Sequence, residues 1–225
     1  SDQTVAAALT DNDTAGFTKS TSSVTVTEAS GGSNTATFTV VLDSEPSSGT
    51  VVIDVSSGTT GQATVSPSSL TFTVGNWDST QTVTVTGVDN DVDGSNAGST
   101  ITLAVNDGST ADGNYDALSD QTVAAALTDN DTAGFTVIES SGSTSVNESG
   151  TTDTFTVVLN TQPSGNVVIS VSSGDTGEAT VSASSLTFTT GNWNTPQTVT
   201  VTGVDDGDDD GDIDSTVTLA ITDGS

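Results

Sequence analysis

Hydrophobic residues alternate with Thr or Ser in short runs along most of this chain of 225 residues. A period of two is typical of half-buried β-strands, and Gly-, Ser-, Asp- and Pro-rich stretches separate the runs. No segment shows the period of a helix. The pattern predicts seven strands, A to G, with alternating apolar positions at 24–26, 36–42, 51–55, 70–74, 83–85, 101–105 and 123–127.

The sequence also repeats itself. Residues Ser1–Thr18 recur letter for letter as Ser119–Thr136, and QTVTVTGVDN from Gln81 returns as QTVTVTGVDD from Gln197. The repeat is about 116 residues long, a normal size for a β-sandwich. We therefore expect an all-β protein of tandem, seven-stranded, antiparallel Ig-like sandwiches without a helix. The expected parts are the final strand and linker of a preceding repeat (1–13), a complete repeat (14–131), and a second repeat that lacks its final strand (132–225).

The missing final strand of the second repeat has two explanations. Either the segment is a window from a longer array whose next repeat supplies the strand, or identical subunits lend a strand to one another end to end. Without such a strand, the sandwich would expose an unpaired backbone ladder. We favour the array, and strand exchange stays open as the alternative.

Charge and composition narrow the function. Asp and Glu number 30 against a single basic residue, Lys19, so the net charge is −29 and nucleic acid is not an expected partner. Cys, His and Met are absent, which removes thiolate and imidazole metal ligands and the usual nucleophile–base pairs. We therefore expect no enzyme. No apolar run approaches the roughly 20 residues that cross a bilayer, so membrane insertion is not expected.

The acidic residues concentrate at one pole of the predicted sandwich. In an antiparallel order, the A–B, C–D and E–F loops and the end of strand G share that pole. Calcium takes 6–8 oxygen ligands and would offset the repulsion among these carboxylates. A solvated acidic surface, as in a salt-adapted protein, is the alternative. The candidate ligands are Glu28, Asp89, Asp91, Asp93, Asp129 and Asp131 in the first repeat, and Glu148, Asp205, Asp206, Asp208 and Asp210 in the second.

The order of these motifs resembles Calx-β domains, the calcium-binding sandwiches of sodium–calcium exchangers and of bacterial surface repeats. V-x-E occurs at Val26–Glu28 and Val146–Glu148, an acidic run follows strand E, and D-N-D ends strand G at Asp129–Asp131. The run NW-x-x-x-QTVTVTGVD, from Asn76, is similar to the bacterial members. The resemblance implies that these acids bind calcium at the domain junction.

The resemblance also extends the ligand set. It implies that the D-N-D motif near the start of the chain, with Asp11 and Asp13, supplies calcium ligands at the junction of a neighbouring repeat. It also implies that Asp175, in the C–D loop of the second repeat, is a ligand. The first repeat has Thr59 and Gln62 in that loop, where the second has Asp175 and Glu178. The two sites are therefore expected to differ in affinity or ion number.

These observations together predict a structural repeat of an extracellular or cell-surface rod or fibre, such as an adhesin shaft, in which calcium rigidifies the domain junctions. The expected partners are neighbouring repeats or identical subunits end to end, and glycans are a further candidate. The alternative is a carbohydrate- or cell-binding adhesion module. That alternative predicts an exposed aromatic platform, for which Trp77, Tyr115 and Trp193 are the candidates.

Overall fold

The chain forms two compact all-β units in a computed structural model that describes residues 2–28, 34–94, 97–205, 207 and 211–223. The first unit runs to Asn90 and continues from the E–F loop to Asn130, and the second contains Asp91–Gly94 and the chain from Asp131. The all-β fold class expected from the alternating pattern is confirmed. The units are described separately below.

The first unit is a sandwich of two sheets. One sheet has the strand order β1-β3-β7-β5 and the other β2-β9-β8-β4-β6. Each strand buries alternate residues, so Val83 and Val85 face inward while the Thr residues between them face outward. The strands are β1 (Phe17–Lys19), β2 (Ser23–Thr27), β3 (Thr35–Leu42), β4 (Thr50–Ser57), β5 (Ala63–Ser66), β6 (Ser69–Thr73), β7 (Gln81–Gly87), β8 (Ser99–Val105) and β9 (Gln121–Thr128).

The predicted strand A corresponds to β2, and a further strand, β1, precedes it in the other sheet. β1 pairs antiparallel with β3 in one sheet, and after a bend at residues 20–22 the chain continues as β2 in the other. Because the chain does not reverse between β1 and β2, β2 lies parallel to β9, with Val26 beside Leu127. The prediction of purely antiparallel pairing was therefore wrong at this edge. The strands β1 and β5 were also missed, because three or four residues show too little alternation.

A short helix interrupts the connection from β8 to β9, although none was expected. It spans Gly113–Asp116 and begins at Asp112, whose side chain accepts a hydrogen bond from the Asn114 amide. Tyr115 of this helix is buried, and its hydroxyl donates to the Ser44 carbonyl at 2.5 Å. The turn thus anchors an otherwise irregular loop to the core.

The second unit repeats this plan with fewer strands among its described residues. Its sheets have the orders β10-β11-β15-β13 and β14-β12-β16. A short 3-10 turn at Ser140–Gly142 follows the first strand. Its core centres on Phe155, Ile169 and Phe188. The strands are β10 (Phe135–Glu139), β11 (Thr152–Leu159), β12 (Val167–Ser173), β13 (Ala179–Val181), β14 (Ser185–Phe188), β15 (Gln197–Gly203) and β16 (Val217–Asp223).

The duplicated segment takes two different structures. In β9, Val123 is fully buried and Leu127 is 4% exposed. Their counterparts near the start of the chain, Val5 and Leu9, are 95% and 98% exposed, and residues 2–16 form neither helix nor strand. Identical local sequence therefore becomes a strand only where two neighbouring strands pair with it.

Candidate functional site

Glu28 is the most buried of the sequence-predicted acids in the described chain. It follows β2 directly and is only 3% exposed. Its amide donates to the Thr128 carbonyl at 3.0 Å, which extends the β2–β9 ladder by one bond. The strand pairing thus positions the carboxylate, and an ionised carboxylate is expensive to bury without compensating partners.

Three acids meet beyond the ends of β2 and β9. Glu28, Asp129 and Asp131 each offer a carboxylate oxygen, and these oxygens lie within 4.8 Å of one another. Asp129 and Asp131 are half-buried. Among the described residues this is the one group of three or more such side chains at that spacing. The V-x-E and D-N-D motifs, about a hundred residues apart in the sequence, are thus brought together.

Asn90 is a member of this cluster that the sequence analysis missed. Its side-chain amide donates to Glu28 Oε1 at 2.5 Å, which supports the carboxylate in its present orientation. The available signal was the position of Asn90 in GVDN, where the second repeat has Asp206 in GVDD. The Asn90 side chain carries no charge, but its amide oxygen is also an acceptable calcium ligand.

The three aspartates of the first E–F loop are exposed and lie outside the trio. Asp89 lies two residues beyond the end of β7. Asp91 and Asp93 belong to the second unit, where the Gln162 amide donates to the Asp91 carbonyl at 2.6 Å and the Ala133 amide donates to Asp93 Oδ2 at 2.7 Å. The structure therefore gives Asp93 a local structural role in this conformation.

The predicted acids of the second repeat are not gathered in the same way. Glu148, the counterpart of Glu28, is exposed, as are Asp175 and Asp205. Asp175 Oδ1 accepts from the Gly177 amide at 2.9 Å and shapes its own loop. The candidates Asp206, Asp208 and Asp210 lie outside the described residues.

The remaining candidates, Asp11 and Asp13, lie on the exposed segment that precedes β1. The Asp13 amide donates to Asp11 Oδ1 at 3.0 Å. The identical D-N-D motif after β9 supplies two members of the acidic trio. The difference follows from the state of the preceding strand, which is paired in one copy and exposed in the other.

Two further acids have structural surroundings. Burial raises the pKa of the Asp112 carboxyl, but hydrogen bonds from Asn114, Ser47 and Ser48 outweigh burial, and its pKa lies below the ordinary value. In the second unit, hydrogen bonds from the Ser140 hydroxyl and the Ser145 and Thr154 amides lower the pKa of Asp153. Neither belongs to the acidic trio, so a low pKa alone does not identify the site.

The trio fits a hard divalent cation. All its donors are carboxylate oxygens, the ligands that calcium prefers, and three carboxylates can supply up to about six oxygens. Two of the acids come from the motif after β9, and Glu28 directly follows β2, which pairs with β9, so the fold pre-arranges them. The absence of His and Cys from the sequence makes a zinc-type donor set unavailable.

The aromatic candidates for a glycan platform pack into the fold. Trp77 and Trp193 are half-buried against the cores of their respective units, and their carbonyls accept from the amides of Leu42 and Leu159. Tyr115 is 1% exposed. No helix in the described part of the chain is long and apolar enough to cross a membrane.

Comparisons with known proteins give structural likeness alone. No family model matches the chain, and no curated protein matches it. The chain is similar to domains 4 and 5 of the S-layer protein SbsC, with 23% identity and a TM-score of 0.32, over 50% of this chain and 51% of that structure. It thus spans about half the length of that structure.

Two other solved structures are similar over more of the chain. CBD12 from CALX1.2 has 13% identity and a TM-score of 0.35, over 91% of this chain and 79% of that one. The YadV chaperone has 9% identity and a TM-score of 0.35, over 91% and 98%. At such TM-scores these likenesses carry no argument about function, and the β-sandwich assignment rests on the strand pairing described above.

Proposed function

We propose that the chain is a structural segment of an extracellular, calcium-stabilised rod or fibre at a cell surface, such as the shaft of an adhesin, without catalytic activity. The observation that carries the proposal is the acidic trio of Glu28, Asp129 and Asp131. Calcium at this position would neutralise part of the local charge and join oxygens from separate segments of the chain.

The position of the trio in the sequence connects it with the repeat boundary. Asp129 and Asp131 stand in the linker DNDTAGF, which joins one repeat to the next. A cation bound there would restrict the backbone dihedrals of the linker as well as the carboxylates. In a tandem array, such restriction at every boundary would favour a stiff, extended assembly over a flexible chain.

The total charge supports the need for a cation. A net charge of −29 on 225 residues destabilises the compact state by self-repulsion. Because Lys19 is the single basic residue, intramolecular ion pairs can relieve very little of that repulsion. Bound divalent cations would act where the repulsion is greatest, whereas monovalent salt only screens it.

Thermal unfolding with calcium, with magnesium and with excess chelator tests the proposal at fixed ionic strength. Calcium is expected to raise the melting temperature, because a ligand that binds the folded state stabilises it by mass action. Magnesium is expected to do less, since it demands tighter octahedral geometry. Small-angle scattering should show a narrower range of shapes with calcium. A melt that responds to total salt alone would refute the proposal in favour of a solvated acidic surface.

The adhesion-module alternative gains no support from the aromatic residues. A glycan-binding platform needs exposed ring faces, and both Trp side chains and Tyr115 pack against the protein instead. Calcium-dependent glycan binding would therefore have to use polar contacts alone. A glycan array probed with the calcium-loaded chain tests this alternative directly.

A further inference from the structure

The second unit contains a groove where the first unit contains β9. The groove has a volume of about 1160 Å³, and its lining combines apolar residues, among them Val146, Phe155, Val217 and Leu219, with acids such as Glu148 and Asp212. Residues 144–147 border one side of it, and β16 borders the other. The equivalent residues of the first unit, in β2 and β8, both pair directly with β9.

The groove leaves an apolar edge partly exposed. Ile101 and Leu103 of β8 are fully buried under β9, whereas their counterparts Val217 and Leu219 in β16 are half-buried. Ile221 on the same strand is 54% exposed. β16 is also the outer strand of its sheet in the described chain, so one side of its backbone is open to a further strand.

A segment with the right sequence to fill this groove lies elsewhere in the chain. Residues 3–10 have the sequence QTVAAALT, which is the sequence of β9. Val5 and Leu9 in this segment are almost fully exposed, and they match the two larger apolar residues of β9 that face the core. The open groove of the second unit and the exposed segment 3–10 are therefore complementary.

We propose that residues 3–10 of a second copy of this chain bind in the groove of the second unit as a further strand beside β16. The pairing of the first unit sets the register. Val5 lies opposite Val217 and Ala6 opposite Thr216, antiparallel to β16, as Val123 and Ala124 do opposite Ile101 and Thr100. On the other side, Leu9 lies beside Val146, parallel to the 144–147 segment, as Leu127 lies beside Val26.

This contact joins two different surfaces, so each copy donates one strand and accepts another. A heterologous contact of this kind forms open filaments unless its rotation closes a ring. The interaction belongs to the β-augmentation class, in which backbone bonds supply affinity and alternate side chains supply specificity. The strand proposal does not depend on calcium binding.

The same register has a consequence that does rest on the proposed function. Asp11 and Asp13 follow the docked strand, as Asp129 and Asp131 follow β9, and would arrive beside Glu148. Calcium should then tighten the association. Assembly that calcium leaves unchanged would support strand exchange while counting against the proposed calcium function.

Sedimentation velocity of the intact chain, over a range of protein concentrations at about 0.15 M salt, where charge repulsion is screened, tests the association. The unmodified chain is expected to form a concentration-dependent series of oligomers. The double variant Val5→Asp/Leu9→Asp should raise the apparent dissociation constant at least about tenfold, because it places unpaired carboxylates against the apolar residues Val217 and Val146 in a groove that already contains acids. Both positions are exposed in the single chain, so the variant keeps its fold.

The variant Ala6→Asp/Ala8→Asp is the matched control. It adds the same charge, but Ala124 and Ala126, the counterparts of Ala6 and Ala8, face outward in β9. This variant should still associate, weakened only by repulsion. Equal loss of association in the two double variants would overturn the proposal, because charge rather than side-chain fit would then explain both results.

Cysteine cross-linking tests the register, and the chain has no native Cys to interfere. Ala6→Cys with Thr216→Cys should give a disulfide-linked ladder of oligomers, since directly opposed residues lie within disulfide range. Ala6→Cys with Thr218→Cys, displaced by two residues, should link far less. A cross-link within a single chain would overturn the second-copy assignment, as would a chain that stays monomeric at every concentration.

Discussion

The two units share a fold and much of their sequence, but they differ at one edge. In the first unit, β9 joins β2 to β8, and Ile101 and Leu103 are fully buried. The end of β9 also brings Asp129 to Glu28. In the second unit, the 144–147 segment forms no strand, Leu219 is half-buried, and Glu148 is exposed. A single strand therefore accounts for packing, pairing and acid geometry together.

This difference shows why the acids of the two repeats are not equivalent. Glu28 is buried because it continues a paired strand, and its amide bonds to Thr128 at the end of β9. Glu148 has the same V-x-E motif without a paired strand beside it in the described structure. The motif thus defines which acid is available, and strand pairing defines where that acid points.

The largest expected effect compares two equivalent leucines, Leu103 beside β9 in the first unit and Leu219 at the groove of the second unit. Leu103→Ala should lower the free energy of unfolding of the first unit by about 2–5 kcal/mol, the usual range for a buried Leu. Leu219→Ala should lower that of the second unit by less than about 1 kcal/mol, because its site is already partly open. Urea unfolding, followed through Trp77 or Trp193 after changing the other Trp to Phe, separates the units. Equal losses would contradict the comparison.

The next effect concerns calcium. At a calcium concentration of about 100 times Kd, binding adds about 2.7 kcal/mol of stability, and Glu28→Gln should remove most of that increment. Glu148→Gln should leave it nearly unchanged at protein concentrations where the chain is monomeric. Titration calorimetry with thermal melts measures both. The exposed residue Glu45 offers a control in Glu45→Gln, which removes equal charge, and an equal loss in this control would indicate general screening.

A smaller effect compares the rigidity of the backbone at Thr27 in the first unit with that at Asn147 in the second unit. A Cβ at Gly87 would lie 2.2 Å from the Thr27 carbonyl oxygen, and one at Gly203 would lie 2.1 Å from that of Asn147. Thr27 is held by β9, so Gly87→Ala should destabilise its unit by about 1–3 kcal/mol.

The second half of that comparison is Gly203→Ala, which should destabilise its unit by less than about 1 kcal/mol because the segment that contains Asn147 is free of strand pairing and can move aside. Chemical denaturation measures both variants. Gly61→Ala, where a Cβ has no neighbour within 4 Å, is the control. A larger loss for Gly203→Ala than for Gly87→Ala would contradict the proposed difference in rigidity.

The smallest effect concerns the β8–β9 connection of the first unit. Because the pKa of Asp112 is lowered on folding, the stability it contributes is complete above about pH 4 and is lost as the pH falls through the folded value. Asp112→Asn should cost about 1.5 kcal/mol at pH 7, and less at lower pH. Unfolding of both proteins between pH 7 and pH 2 tests this, with the exposed Asp107→Asn as control. A pH-independent difference would contradict it.

Much of the fold was accessible from the alternation of apolar residues. The runs 36–42, 51–55 and 101–105 correspond to β3, β4 and β8. The runs that became β1 and β5 were too short to show a period. Val74 extended the predicted strand D, but β6 ends at Thr73, where Asn76 Oδ1 accepts from the Thr73 amide at 2.6 Å and turns the chain.

The candidate site was accessible in part. The sequence order of V-x-E and D-N-D indicated which acids share a pole, and the structure places Glu28, Asp129 and Asp131 together. The sequence could not indicate that Asp91 and Asp93 belong to the second unit, because that grouping depends on hydrogen bonds to residues far along the chain. Asn90 did not stand out in the sequence because its amide side chain carries no charge.

By itself, the sequence determined the period-two pattern, the duplication and the supply of acids, since these depend only on the order of residue types. The tertiary structure decided what the identical segments 3–10 and 121–128 become. Val123 and Leu127 are buried in a strand, whereas Val5 and Leu9 are exposed to solvent. The physical reason is that a β-strand is completed by hydrogen bonds and apolar contacts to its neighbours, which its own sequence does not contain.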